Sequence, residues 1–428
     1  MRVAGAAQDV TNAVSKLLGA PLPVGVRAWD GSRAGPTDAP QVVLRSRRAL
    51  RHLMWSPGEL GLARAYVSGE LDVEGDLSDG LRRFWVLARQ RPHVTGHRTL
   101  PDRLGALRVA ARRGAIGPRP RPPAEEARLT GRLHSSRRDR AAIAHHYDHG
   151  NHFYQLVLDP QMAYSCGYWT STEPDYTLED AQRDKLELIC RKLGLRPGMR
   201  LLDVGCGWGS LLMHAVQHHG VSAVGVTLSA QQAEFIRRRA TDLELHGKVE
   251  VRLQDYRELT PEQFGGGRFD ALASVEMGEH VGEEHYPRYA ATLAGMLLPT
   301  GRLLLQQMSR GAVAPGGGAF IESYIAPDMT MRPLSATLAH LERAGLEVRG
   351  VQAMREHYVR TIDAWAHTLE QNWDEVVADG GEGHARVWRL YLAGGSLAFE
   401  ENRMGVDQIL AVRPAEEGRS GFSLLNTD

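Results

Sequence analysis

Neither sign of charge is in excess: 51 Lys+Arg stand against 51 Asp+Glu in 428 residues, so no global potential draws the chain to nucleic acid. Cysteine is scarce. Cys166, Cys190 and Cys206 lack the paired spacing of a metal site and are too few for a disulfide framework, which suits a reducing compartment. No run approaches the ~20 apolar residues of a membrane span, and the opening Met-Arg-Val-Ala-Gly-Ala-Ala-Gln-Asp-Val has no apolar segment of the secretory kind. The expectation is a cytoplasmic protein that meets lipid, if at all, peripherally at the inner face of the cell membrane. The composition, 43% hydrophobic and 24% charged, is that of a globular chain long enough for two domains.

The most informative stretch runs from Met199 to Gly209, Met-Arg-Leu-Leu-Asp-Val-Gly-Cys-Gly-Trp-Gly. An apolar run ending in Asp203 and Val204 reads as a buried strand, Gly205, Gly207 and Gly209 as a turn, and Leu211 onward as a helix. Glycines there let a ligand lie against bare backbone, and the helix start offers unpaired N–H groups. Asp203 would repel a phosphate but suits an ammonium, as on the methionine part of S-adenosylmethionine. A lone motif of this kind is equally an ordinary turn after a core strand.

Along the chain, residues 1–113 read as a small α+β domain with helical stretches at Pro57 to Val67 and Gly80 to Arg89. Residues 114–140 read as a basic Pro/Arg-rich linker. Between Leu81 and Arg140 stand sixteen arginines, no lysine and four acids. Such a run is a solvated tether or, at ~1 kcal/mol per cation near anionic lipid, a membrane anchor. His145 and His149 share a helical face, but no third ligand is fixed, so no metal is expected. Residues 141–428 form the last expected domain. From Thr177 strands and helices alternate, with strands at Arg200 to Val204, Ser222 to Val226, Val249 to Leu253, Phe269 to Val275, Gly301 to Gln306, Leu346 to Val351 and Gln408 to Val412. That alternation predicts a doubly wound, mostly parallel α/β sheet of seven strands, with ligands at the strands' carboxyl ends.

The second strand ends in Thr227-Leu228-Ser229 followed by Gln231 and Gln232, and the third in Gln254-Asp255-Tyr256, where a nucleotide fold presents ribose- and adenine-binding groups. Together with Tyr164-Ser165-Cys166-Gly167-Tyr168-Trp169, Leu202 to Gly209 and Glu279-His280-Val281-Gly282, these segments resemble the cyclopropane-fatty-acid synthase family of S-adenosylmethionine-dependent methyltransferases. The resemblance runs from about Tyr147 to Pro414 and more weakly over the N-terminal domain. It implies a class I methyltransferase fold and a cofactor site formed by Tyr164, Ser165, Asp203, Gly205, Gly207, Thr227, Gln232, Asp255 and Tyr256.

The family's reaction gives the sulfonium methyl to a cis double bond of a fatty acyl chain, and the resulting carbocation must lose a proton. An apolar, aromatic pocket protects such a cation. In the family a bound bicarbonate takes the proton, held by groups matching Cys166, Glu279 and Tyr358 and by a His-x-Ile element at the end of the fifth strand. Here the family's Leu-Leu-His-Thr-Ile is replaced by Leu304-Leu305-Gln306-Gln307-Met308. Gln306 can hydrogen-bond but cannot titrate. A longer-lived cation has time for a hydride shift, which leads to a methylene branch instead of a cyclopropane; relatives in one branch of the family do this.

Taken singly, Glu279 is also a helix-start acid, Cys166 a small buried hydrophobe, Tyr358 a core tyrosine and Cys190 an inert thiol. The expected substrate is a phospholipid acyl chain at an anionic membrane. Two readings compete with it: a methyltransferase for a small polar molecule, and a lipid-binding protein without catalysis. A homodimer is compatible with an interfacial enzyme, though no residue specifies one.

Overall fold

The computed structural model describes residues 5–90, 100–127, 138, 150–311 and 318–422. His145, His149 and most of the basic stretch 128–140 lie outside the described residues. The chain divides into two units, one formed by 1–127, 318–325 and 373–397, the other by 128–317, 326–372 and 398–428.

In the first unit, β1 (Gly25–Arg27), β2 (Arg33–Ala34), β3 (Gln41–Leu44) and β4 (Leu71–Glu74) form a sheet of order β2-β1-β3-β4. Val26, Leu44 and Leu71 pack from it, with Val24 just before β1, against Ala6, Val10, Ala65 and Tyr66 of the helices. The unit continues past Arg113: Ala115 is buried, Arg51 donates to its carbonyl, and Glu126 forms a two-pronged ion pair with the buried Arg64 guanidinium. Residues 114–127 are thus packed chain, not free tether. Arg386, from the distant segment 373–397, pairs with Asp72 of β4.

The second unit carries a seven-stranded sheet: β5 (Arg200–Val204), β6 (Ser222–Thr227), β7 (Val249–Leu253), β8 (Phe269–Val275), β9 (Leu297–Ser309), β10 (Glu347–Ala353) and β11 (Gly405–Val412), ordered β10-β11-β9-β8-β5-β6-β7. β11 alone runs against the direction of the other six strands. The central strands are apolar on both faces because helices cover both. Leu202 and Val204 enter one core with Leu303, Leu305 and Tyr289, while Leu201 joins Leu304, Ala271 and Ala273 in the other. Helix Leu178–Leu193 starts at Thr177, whose side chain exchanges hydrogen bonds with Asp180 in a capping box, and ends at Gly194 in the left-handed region. Gln182, Lys185, Leu186, Ile189, Cys190 and Leu193 form its buried face.

No described helix is long and apolar enough to cross a membrane.

Candidate active site

At the end of β5 the backbone turns sharply: the amides of Gly205 and Cys206 both donate to the Val226 carbonyl of β6, at 2.9 and 3.1 Å. Gly205, Gly207 and Gly209 have φ of +82°, +53° and +79°, a region closed to most side chains. The three glycines differ in what surrounds them. A Cβ on Gly205 would lie 2.6 Å from Met277 and one on Gly209 2.8 Å from Ile236, whereas one on Gly207 would meet nothing within 4 Å. The outer glycines permit packing; the middle one faces open space.

Under this loop Asp203 is buried, its Oδ1 has no hydrogen-bond partner, and burial pushes its carboxyl up to about 7. A buried acceptor of this kind calls for a donor or cation. With the bare Gly207 backbone beside it, the site fits the amino-acid end of S-adenosylmethionine. The other expected cofactor residues stand at the neighbouring strand ends, engaged with one another. Thr227 Oγ1 donates to Gln232 Oε1 at 2.7 Å, and Ser229 caps the following helix. Asp255 is paired through both oxygens with Arg257, and the Tyr256 ring meets Tyr289 edge-on at 5.3 Å. Ser165 accepts a 2.9 Å hydrogen bond from Lys185, a fully buried cation absent from the expected set.

The organising residue of the site is Glu276, absent from the expected set. It follows directly after β8 with φ +51°, and its carboxylate collects three donors. Oε1 accepts from the Cys166 amide and from Gln306 Nε2, each at 2.8 Å; Oε2 accepts from the Tyr358 hydroxyl at 2.6 Å. The Glu276 carboxyl is enclosed by protein, while the residue as a whole is half-buried. Burial raises its pKa against the pull of Tyr358 and the other donors.

Cys166 therefore contributes its backbone. Its thiol points to the carbonyls of Gly167 and Met354, and burial, followed by the charge of Glu276, raises its pKa well above the ordinary value. Glu279, expected beside Cys166 and Tyr358, instead accepts from the Met308 amide through Oε1; its buried Oε2 has no partner. Burial, with Glu276 nearby, pushes Glu279 up to about 8. The four residues expected to grip bicarbonate are engaged within the chain: Cys166, Gln306 and Tyr358 on Glu276, and Glu279 through Oε1 on the Met308 amide. A further anion at the Cys166 amide, Gln306 and Tyr358 would meet the Glu276 carboxylate already in that place, so these donors do not fit bicarbonate while Glu276 holds them.

Gln306 is held as a donor by a directional chain. Lys192 Nζ donates to Gln408 Oε1 at 2.7 Å and to Gln352 Oε1 at 2.6 Å; Gln408 Nε2 donates to Gln306 Oε1 at 2.9 Å, which leaves Gln306 Nε2 for Glu276. An ammonium has no acceptor, so it fixes which way each amide points. Burial lowers the Lys192 pKa to about 8.

Beside this centre lies an aromatic cluster. Tyr358 meets Trp365 edge-on at 6.0 Å and Phe399 at 4.5 Å; Trp365 lies 5.2 Å from Tyr164, Tyr164 5.5 Å from Tyr154, and Tyr154 4.6 Å from Trp208. Elsewhere, Cys190, His214 and His219 bring possible metal-ligand atoms within 4.8 Å of one another, but Glu187 already binds both imidazoles, at 3.2 and 3.0 Å.

The reversed β11 in an otherwise parallel seven-stranded sheet, with an orphaned acid beneath a glycine loop, defines a class I S-adenosylmethionine-dependent methyltransferase. The family model described as mycolic acid cyclopropane synthetase matches residues 134–409, and the chain belongs to that family. It is 37% identical to a probable fatty acid methyltransferase of Mycobacterium tuberculosis, over 94% of each chain. It is 34% identical to the cyclopropane-fatty-acyl-phospholipid synthase of Escherichia coli strain K12, over 67% of this chain and 71% of that one. Among solved structures, the cyclopropane synthase MmaA2 from Mycobacterium tuberculosis matches with a TM-score of 0.60 at 28% identity, covering 66% of this chain and all of the other. The mycolic acid cyclopropane synthase CmaA1, solved with S-adenosylhomocysteine and CTAB, matches with a TM-score of 0.59 at 30% identity, over 64% of this chain and 98% of that one. The protein is an enzyme of this type, uses S-adenosylmethionine, and acts on unsaturated fatty acyl chains.

Proposed function

We propose that the protein methylates the cis double bond of an unsaturated acyl chain in membrane phospholipid and yields a methylene-branched chain. The observation that carries this reading is the aromatic cluster joined to a polar centre through Tyr358, whose hydroxyl bonds Glu276 while its ring meets Trp365 and Phe399. Ring faces stabilise a cation without attacking it, as a carbocation in this reaction requires. Bound S-adenosylmethionine supplies an electrophilic methyl group. Asp203, Gly205 and Gly207 would hold its amino-acid end, and the groups at Thr227, Gln232, Asp255 and Tyr256 the nucleoside, with Tyr164 and Ser165 completing the site. Gln306, a neutral amide where the family has histidine, supports the methylene product: it can anchor a base but cannot relay its proton, and slower proton loss leaves time for the hydride shift.

Access to the bilayer is proposed through the first unit. Leu104, Leu107 and Ile116 are exposed there at 43%, 47% and 54%, with Arg108, Arg112, Arg119 and Arg121 also exposed. Apolar side chains among cations are the composition of an interfacial anchor.

The test is transfer of labelled methyl from S-adenosylmethionine to vesicles of dioleoyl or distearoyl phospholipid. Label in the unsaturated lipid alone supports the reading. Label in neither, with cofactor bound, refutes it.

A further inference from the structure

We infer that the proton released in the reaction is taken by the carboxylate of Glu276, a base built into the chain where other members of the family are expected to bind an anion. This rests on the reading above that the chain methylates an acyl double bond. After methyl transfer the acyl chain carries one positive charge and one hydrogen too many. A 1,2-hydride shift first moves the positive charge onto the carbon that bears the new methyl group; the electron pair of a methyl C–H bond then becomes the π bond to that carbon, and the proton joins a Glu276 oxygen. The glutamic acid then returns the proton to water. Charge and atoms balance with no further reactant.

Three independent observations support this assignment. The Cys166 amide, Gln306 Nε2 and the Tyr358 hydroxyl all converge on Glu276, at 2.6 to 2.8 Å, so the cradle for an anionic base is filled by a side chain. Glu276 sits at φ +51°, where glycine would be at ease and a side chain is strained. A carboxylate kept in such a place has a use that local folding does not explain. Finally, Glu276 is only half-buried as a residue and retains accessible surface, as a group that meets a reacting chain requires. Glu279 lacks this access: it is fully buried and committed to the Met308 amide.

The test compares wild type, Glu276→Gln and Glu276→Gly in carbon-dioxide-depleted buffer, with bicarbonate or formate then added. Wild-type turnover should not respond to either anion. Glu276→Gln should lose about 100-fold or more of turnover while binding S-adenosylmethionine within about threefold of wild type by calorimetry. Glu276→Gly empties the cradle and relieves the backbone, so it should fold, bind cofactor, regain turnover with added formate or bicarbonate, and broaden the NMR line of ¹³C-bicarbonate, which wild type should leave sharp. Wild-type turnover that collapses without bicarbonate and returns with it would overturn the inference. So would near-normal turnover of Glu276→Gln, or a cofactor-binding Glu276→Gly that no anion rescues. A wild type that methylates no acyl chain would instead overturn the functional reading, and this inference with it.

Discussion

Gln306 and Gln408 face each other in register across β9 and β11, and the Gln408 amide nitrogen donates to Gln306 Oε1 at 2.9 Å. The pairing transmits the polarity of Lys192 to Glu276. A change at Lys192 is therefore felt at a carboxylate it does not touch.

Lys192→Met should leave Gln306 free to present its oxygen to Glu276. We expect kcat to fall about tenfold with the KM for cofactor unchanged, since a misaligned donor to a buried charge costs about 1.5 kcal/mol. Lys192→Arg should restore most of the rate. An equal loss of cofactor affinity and rate would indicate general damage instead of mispositioning.

Gln306→His should shift product toward cyclopropane if residue 306 steers the fate of the cation. Acyl-chain NMR of the lipid product reads the ratio directly. An unchanged ratio rejects that role for Gln306.

Glu279, raised from 4.5 to about 8, binds its proton more tightly in the folded state than in the unfolded chain. Its contribution to stability is therefore greatest below pH 4.5 and is lost as pH rises toward 8. Glu279→Gln removes a charge that cannot be comfortably buried yet keeps an acceptor for the Met308 amide. Relative to wild type, this variant should gain about 1–3 kcal/mol between pH 6 and 8.5, visible as a widening Tm difference. A constant difference across that range would show that Glu279 does not titrate there. Turnover should fall in this variant with cofactor affinity nearly intact, because Glu279 fixes the strand end that carries Gln306 and Met308.

Leu104→Ser with Leu107→Ser, and separately Arg108, Arg112, Arg119 and Arg121→Gln, should each weaken binding to anionic vesicles by tenfold or more. Vesicle co-sedimentation at low and physiological salt measures it, and only the arginine effect should fade with salt. Unchanged sedimentation of both variants would remove this surface as the anchor.

Much of the sheet was legible because its signals are local. Arg200 to Val204, Val249 to Leu253 and Phe269 to Val275 are bounded by turn residues, and the structure places strands at those same limits. The reach of the first unit was not legible, because packing of 318–325 and 373–397 with 1–127 depends on contacts hundreds of residues apart. Glu276 was overlooked for a sharper reason. The resemblance drew attention to Glu279, three residues on, while a positive φ leaves no trace in residue type. A signal was nonetheless present: an acid directly after a buried strand, at the end where ligands bind. Lys185 also had one, since its spacing from Gln182 and Ile189 puts it on the apolar face of its helix. The chain from Lys192 through Gln408 had none, because it exists only in the register of β9 against β11.

The most direct test of the account is mass spectrometry and proton NMR of acyl chains after incubating the purified protein with S-adenosylmethionine and oleoyl phospholipid vesicles. The account predicts a gain of one CH₂ with vinylidene proton signals. The same gain with upfield cyclopropane signals would contradict the methylene product, and no gain with cofactor bound would contradict acyl methylation itself.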